Sequence, residues 1–266
     1  MKSVLSLFTL ICLSALLAAQ VPKQPFPVKR AETAETWKRD GWAAVDRAKA
    51  TKPILPKKGK KMNVILFIGD GMGVSTLTAA RIFEGQLRGE SGEENRLSFE
   101  NFPYSALSKT YSTNQQTSDS APTMSAIITG VKTDANILSV NQNVVNNDYR
   151  TVKGNETKTL LEYAEEAGLS TGIVSTARLT HATPGACYAH TADRNWESDA
   201  DIKKKNPAAY AAGFPDIARQ LIETPFGDGP EVLLSGGRSK FMRFDQTDPE
   251  YSDKHGERLD DRDLIK

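Results

Sequence analysis

Cysteine is nearly missing from this sequence: its 266 residues contain two, Cys12 and Cys187. Cys12 sits in an N-terminal apolar run expected to be removed, so one thiol remains and an internal disulfide is excluded. An excess of charge of either sign is missing too. Lysine and arginine number 34 against 33 aspartates and glutamates, a net charge of +1, which gives no electrostatic reason to expect a nucleic-acid or anionic-membrane partner. No repeat of fixed period and no low-complexity stretch interrupts the chain. The apolar fraction of 39% is ordinary for a globular protein, so disorder is not the starting expectation.

Long apolar runs are confined to the N-terminus. Lys2 precedes an apolar, Leu- and Ala-rich stretch from Val4 to Ala19, after which the chain turns polar and Pro-rich at Gln20. A stable membrane-spanning helix needs about 20 apolar residues with anchoring flanks. This run is shorter and ends in small residues, the pattern of a secretory signal peptide over residues 1–19. Leu13 follows Cys12, which is not the context of a lipidated cysteine. Export to a periplasm or to the extracellular space is the expectation.

Residues 20–61 read as an N-terminal arm, with a helix over 35–49 carrying Trp37, Trp42 and Val45 and an extended linker at Pro53–Lys61. Residues 62–266 read as one globular region. Val64-Ile-Leu-Phe-Ile68 is a continuous apolar run ending at Gly69, the pattern of a parallel strand buried on both faces. Helices are predicted over 75–88, 120–129, 159–167 and 216–223, and further strands over 105–111, 171–175 and 231–234. Such alternation predicts an α/β fold. The helical pattern that begins at Leu259 stops at Lys266 without a cap, so the chain is expected to be cut.

Three segments carry chemistry. Gly69-Asp-Gly-Met-Gly73 follows a predicted strand, where ligands collect in open α/β sheets. Val74 stands where a dinucleotide fingerprint needs its third glycine, and a pyrophosphate would be repelled by Asp70. A metal-binding carboxylate fits Asp70 better; a turn residue or helix cap is the alternative. Thr117-Ser-Asp-Ser-Ala-Pro-Thr123 opens a predicted helix, which would aim the Ser120 hydroxyl where unpaired amides favour an anion. Ser120 is a candidate nucleophile or simply an N-cap. The Gly-x-Ser-x-Gly elbow of acyl hydrolases is absent, because Ser118 and Pro122 hold its glycine positions. The third segment places His181 and His190, two of the three histidines, within ten residues beside Arg194 and a carboxylate-rich loop. Arg194 could grip two phosphate oxygens, or pair with a neighbouring carboxylate.

Taken in order, Ile65-Leu-Phe-Ile-Gly-Asp-Gly-Met-Gly73, Thr117–Thr123, and His181-Ala-Thr-Pro184 with His190-Thr-Ala-Asp-Arg-Asn-Trp196 resemble the alkaline phosphatase family. Supporting similarity runs to Ser235-Gly-Gly-Arg-Ser-Lys240. The resemblance implies the N-terminal part of an alkaline-phosphatase-like α/β sandwich, with a central mostly parallel sheet flanked by helices. It implies hydrolysis of phosphate monoesters through a phosphoserine at Ser120, with two zinc ions and one magnesium as cofactors. Asp70 would bridge a zinc and the magnesium, Ser120 would also bind zinc, and His181 and Thr183 match positions around the magnesium. Histidine is an unusual direct ligand for so hard a cation, so a water-mediated contact or zinc at that position stays open. Arg194 would bind non-bridging phosphate oxygens and Asp119 would position Arg194.

By the same resemblance most zinc ligands and the magnesium glutamate belong to a C-terminal half that this chain lacks, so the half-site is expected to hold metal poorly. His190 matches no ligand and reads as structural; His255 reads as a solvated loop residue. Homodimerisation, with the arm as a candidate contact, is the family's usual state. Two other readings remain: a non-catalytic phosphate- or metal-binding relic, and a phosphodiesterase- or sulfatase-type relative with the same metal core. Asn155-Glu-Thr157 has the form of a glycosylation triplet.

Overall fold

The computed structural model describes residues 33–51 and 63–265. The signal peptide at 1–19, the start of the arm and the linker at Pro53–Lys61 lie outside the described residues. The chain divides into two compact units, one ending at Leu107 and the other beginning at Ser108.

In the first unit, helix α1 spans Ala34–Ala50 and opens on a reciprocal cap. Thr36 N donates to Thr33 Oγ1 at 3.3 Å and Thr33 N to Thr36 Oγ1 at 2.8 Å, satisfying two amides that a helix start leaves over. Glu35 in its first turn and Arg47 and Lys49 in its last match the helix dipole. Helix α2, Val74–Leu87, follows Gly73. Its Gly85 lies so close to Gly92 that an added Cβ would fall 2.5 Å from the Gly92 Cα, so the turn after α2 folds tightly back only with glycine there. Asn95 fastens this turn by donating to Arg81 O at 2.8 Å and Glu84 Oε2 at 2.7 Å.

The expected strand at Val64–Ile68 is not formed among the described residues. The segment joins no ladder, and its side chains run from 37% exposed at Ile68 to 87% at Phe67. Residues 105–111 likewise join no ladder. An apolar run sets a local preference for extended backbone, but a strand exists only when a second segment accepts its hydrogen bonds.

The second unit supplies the α/β architecture. Helices α3 (Ser120–Thr129) and α4 (Leu160–Glu166) precede strand β1 (Gly172–Arg178). Then come α5 (Ala182–Gly185), α6 (Asp199–Lys205), α7 (Pro207–Ala211), α8 (Ile217–Ile222) and strand β2 (Val232–Gly236). The two strands pair in parallel with Gly172 opposite Val232, Ile173 opposite Leu233 and Val174 opposite Leu234, and an irregularity shifts the register before Arg178 meets Gly236. The helical segment between them is the long crossover that parallel pairing requires.

Ala121, Met124, Ser125 and Ile128 of α3 are buried, the i, i+3, i+4, i+7 stripe of a core-facing helix. Ala121, Met124 and Ile128 join Leu138, Ile173, Leu179, Tyr188, Ile217 and Phe241 in one apolar cluster. A second cluster centres on Trp196, which is fully buried with Ile137, Val140 and Ile202 and meets the Phe214 ring edge-on at 5.4 Å. A cationic side chain is also interior: Arg258 is 0% exposed and donates through both terminal nitrogens to Asp216 at 3.0 and 2.9 Å.

Candidate functional site

Helix α3 starts where it does because Asp119 is extended and caps it, its Oδ1 accepting from Ala121 N at 2.8 Å. Pro122 sits in the first turn, where a missing N–H costs nothing, and Gly130 ends the helix in the left-handed region at φ 76°. Ser120 is thereby the first helical residue, partly buried, at the end where amides point outward.

Arg194 reaches the same place from far along the chain. Its Nη1 donates to Asp119 Oδ1 at 2.7 Å, so one carboxylate oxygen both caps α3 and holds the guanidinium. Asp119 Oδ2 accepts from Asn136 N at 3.0 Å, and Arg194 N donates to Asn136 O at 2.7 Å. The other guanidinium nitrogen, Nη2, lies 3.2 Å from His181 Nε2. Arginine only donates, so in this contact Nε2 can serve only as the acceptor. The Asp119 and Arg194 side chains are 28% and 17% exposed, which leaves the guanidinium accessible to a small anion.

His181 is delivered by the end of β1. The chain turns there, with His181 N donating to Arg178 O at 2.9 Å, and His181 caps the short helix α5 that carries Thr183. A salt bridge braces the turn: Arg178 Nε and Nη2 donate to Glu197 at 2.8 and 2.7 Å, and Thr180 Oγ1 donates to the same carboxylate at 2.6 Å. Burial pushes the Glu197 pKa up, but the hydrogen bonds from Arg178 and Thr180 outweigh it and hold the group below the ordinary carboxylate range. Sequence reading passed over Glu197, since its partner Arg178 lies 19 residues away and no motif links the two.

Asp70 belongs to the other unit. It lies exposed in a turn closed by Gly73 N donating to Gly71 O at 3.1 Å, with Gly71 at φ 66°. Ser120, Asp119, Arg194, His181 and Thr183 therefore share one unit, and Asp70 stands in the one before it.

His190 is part of the scaffold around this site. Its Nδ1 is 2.6 Å from Ser139 O and its Nε2 2.7 Å from Glu162 Oε1. An acceptor faces each nitrogen, an arrangement that favours the imidazolium. Burial opposes that charge, yet the Glu162 hydrogen bond and charge prevail and raise the His190 pKa above its ordinary value. Cys187 is a free thiol, its pKa pushed up to about 12 by burial, which leaves it protonated and unreactive. His255 is exposed. The Asn155 amide is engaged on both sides, donating to Thr151 O at 2.9 Å and accepting from Asn141 Nδ2 at 3.0 Å.

Among the described residues no three His, Cys, Asp or Glu side chains gather around one point that could hold a metal ion. Comparison with known proteins supplies what geometry alone does not. A family profile described as alkaline phosphatase matches residues 61–266. An alkaline phosphatase of Gadus morhua is 47% identical over 229 residues, 85% of this chain and 47% of that protein. The tissue-nonspecific isozyme of Gallus gallus is 41% identical over 253 residues, 94% of this chain and 47% of that protein. A crystal structure of a cold-active alkaline phosphatase from the psychrophile Shewanella sp. matches with a TM-score of 0.46 at 27% identity, covering 65% of this chain and 36% of that one. The chain spans about half the length of the relatives from Gadus morhua and Gallus gallus.

Proposed function

The chain belongs to the alkaline phosphatase family, and on that premise we propose that the protein hydrolyses phosphate monoesters, with Ser120 as nucleophile and Arg194 as the phosphate grip. The observation that carries this reading is the shared carboxylate. Asp119 caps the helix that Ser120 opens and through the same oxygen holds Arg194, so a hydroxyl, a helix N-terminus and a guanidinium converge in one place. Each of the last two favours a dianionic phosphate.

The Ser120 Oγ attacks phosphorus, the bond from phosphorus to the ester oxygen breaks, and the alcohol leaves with a proton. Water then attacks the phosphoserine, releasing inorganic phosphate and restoring the hydroxyl. Arg194 holds non-bridging oxygens through both steps, and Asp119 fixes its reach. A free monoester presents more of these oxygens than a diester and more negative charge than a sulfate ester, so the arginine favours phosphate monoesters over the phosphodiesterase or sulfatase alternative.

Two zinc ions and one magnesium are the proposed cofactors, with Asp70, Ser120, His181 and Thr183 as this chain's donors. Bound there, such ions would lower the pKa of the nucleophile and steady the leaving oxygen. These donors do not make a metal centre by themselves. No cluster of three strong ligands is present among the described residues, and His181 Nε2 lies 3.2 Å from the Arg194 guanidinium, a cation beside the place a metal would occupy if that nitrogen bound it. The steps above are accordingly confined to the chain's own groups. Export to a periplasmic or extracellular location, and homodimerisation, complete the proposal. No described helix is long and apolar enough to cross a membrane.

The deciding assay is hydrolysis of a chromogenic aryl phosphate at alkaline pH by the chain supplied with zinc and magnesium, alongside Ser120→Ala and Arg194→Ala. Turnover should vanish with Ser120→Ala and fall steeply with Arg194→Ala. Turnover that survives Ser120→Ala rejects the nucleophile. No turnover by the unaltered chain, with inorganic phosphate still bound, favours the non-catalytic reading.

A further inference from the structure

Among the described residues three that are not glycine adopt positive φ, and one of them touches the site twice: Asn136, at φ 67°. Its N–H donates to Asp119 Oδ2 at 3.0 Å and its carbonyl accepts from Arg194 N at 2.7 Å. Both bonds come from backbone atoms. In the extended region, where most residues in a loop would lie, these two groups would point elsewhere. Asparagine enters the left-handed region more readily than other side-chain-bearing residues.

The surroundings hold the residue in place. On one side Ala135 N donates to Asn114 Oδ1 at 2.9 Å. On the other, Leu138 and Thr191 exchange backbone hydrogen bonds at 3.1 Å in each direction, and Leu138 is fully buried. The segment 136–138 thus forms a short antiparallel pairing with 191–194, which sets where the Arg194 backbone arrives.

We propose that Asn136 is a positioning residue: its left-handed backbone orients the Asp119 carboxylate and the Arg194 main chain together, and so fixes the reach of the guanidinium toward phosphate. This rests on the phosphate reading of Arg194 given above. Asn136 itself does not touch substrate. Glycine, which adopts the same backbone freely, should replace it without loss, whereas β-branched valine should not.

The test compares the full chain with Asn136→Gly, Asn136→Ala, Asn136→Val and Arg194→Ala by two readouts. The first is hydrogen exchange at the amides of Asn136 and Arg194, read against those of Leu138 and Thr191. The second is the affinity for inorganic phosphate. Asn136→Gly should match the unaltered chain in both. Asn136→Val should lose protection at residues 136 and 194 while 138 and 191 stay protected, and should bind phosphate about tenfold more weakly, the cost of the unfavourable backbone. Asn136→Ala should fall between, and serves if the valine variant does not fold. Unchanged phosphate affinity and unchanged protection at 194 in a folded valine or alanine variant, with only a lower melting temperature, would overturn the proposal. If phosphate affinity is equally indifferent to Arg194→Ala, the reading of Arg194 fails instead, and the exchange data still decide whether Asn136 positions it.

Discussion

Phe67 and Trp196 are both aromatic residues within segments that carry the family resemblance, yet Phe67 is 87% exposed and Trp196 is fully buried. The hydrogen bonds around them differ in the same way. The Gly69–Gly73 turn is closed by bonds between near neighbours, Gly73 to Gly71 and Met72 to Gly69. The Asp119–Arg194 contact joins residues 75 apart, and Ser139 to His190 joins residues 51 apart. Sequence pattern chooses a local conformation in both regions. Burial follows only where distant segments return to cover it.

The sharpest way to break this contrast is to truncate both aromatic rings. Trp196→Ala should cost about 3–5 kcal/mol, the penalty for emptying a packed aromatic site, and Phe67→Ala should change stability by less than about 0.5 kcal/mol, both read by urea unfolding. Comparable losses would mean that Phe67 is covered in solution. Arginines give a second pair. Arg258→Ala would strand the buried Asp216 carboxylate and should cost about 3–5 kcal/mol, whereas Arg39→Ala, whose salt bridge to Asp40 is exposed, should produce no resolvable change.

A pH series sharpens the same point at His190. Its folded-state pKa is raised, so its contribution is fully present below the unfolded value of about 6.5 and is lost as pH climbs through the folded value. The stability gap between the unaltered chain and His190→Gln should therefore narrow from acid to alkaline pH. A gap that widens would show that the ring is held neutral. The smallest effect is a gain. Gly41 lies inside α1 with nothing within 4 Å of the place a methyl group would occupy, so Gly41→Ala should stabilise that helix by about 0.5–1 kcal/mol, visible as added helical circular dichroism.

Helix α3 was legible to the residue, because Asp119, Pro122 and Gly130 mark its start and stop by local chemistry. Helices α2, α4 and α8 and strand β2 were also readable to within two residues at each end, while β1 starts within a residue of its expected place and runs three residues past the expected end at Ser175. The apolar segment at Val64–Ile68 misled because hydrophobicity reports a preference for burial and carries no information about which segment provides it. The short helices α5, α6 and α7 were missed for a different reason: α6 and α7 are held by caps at Ser198 and Asn206, and all three span too few residues for periodicity to show. At the site, the motifs brought Asp119, Ser120, His181 and Arg194 to attention as types. Asn136 carries no motif, and its role depends on a backbone angle that composition does not reveal. The Arg178–Glu197 brace and the Asp216–Arg258 pair were hidden likewise, since opposite charges far apart in sequence give no hint that they meet.

The separation between Asp119 and Arg194 also orders events in time. A ribosome adds about 5–20 residues each second, so the 75-residue interval takes about 4–15 s to synthesise. During that interval Ser120 and its cap exist without Arg194. A nascent chain arrested before residue 194 would therefore display the serine motif with no completed anion grip, a stage at which escorting factors meet an unfinished pocket.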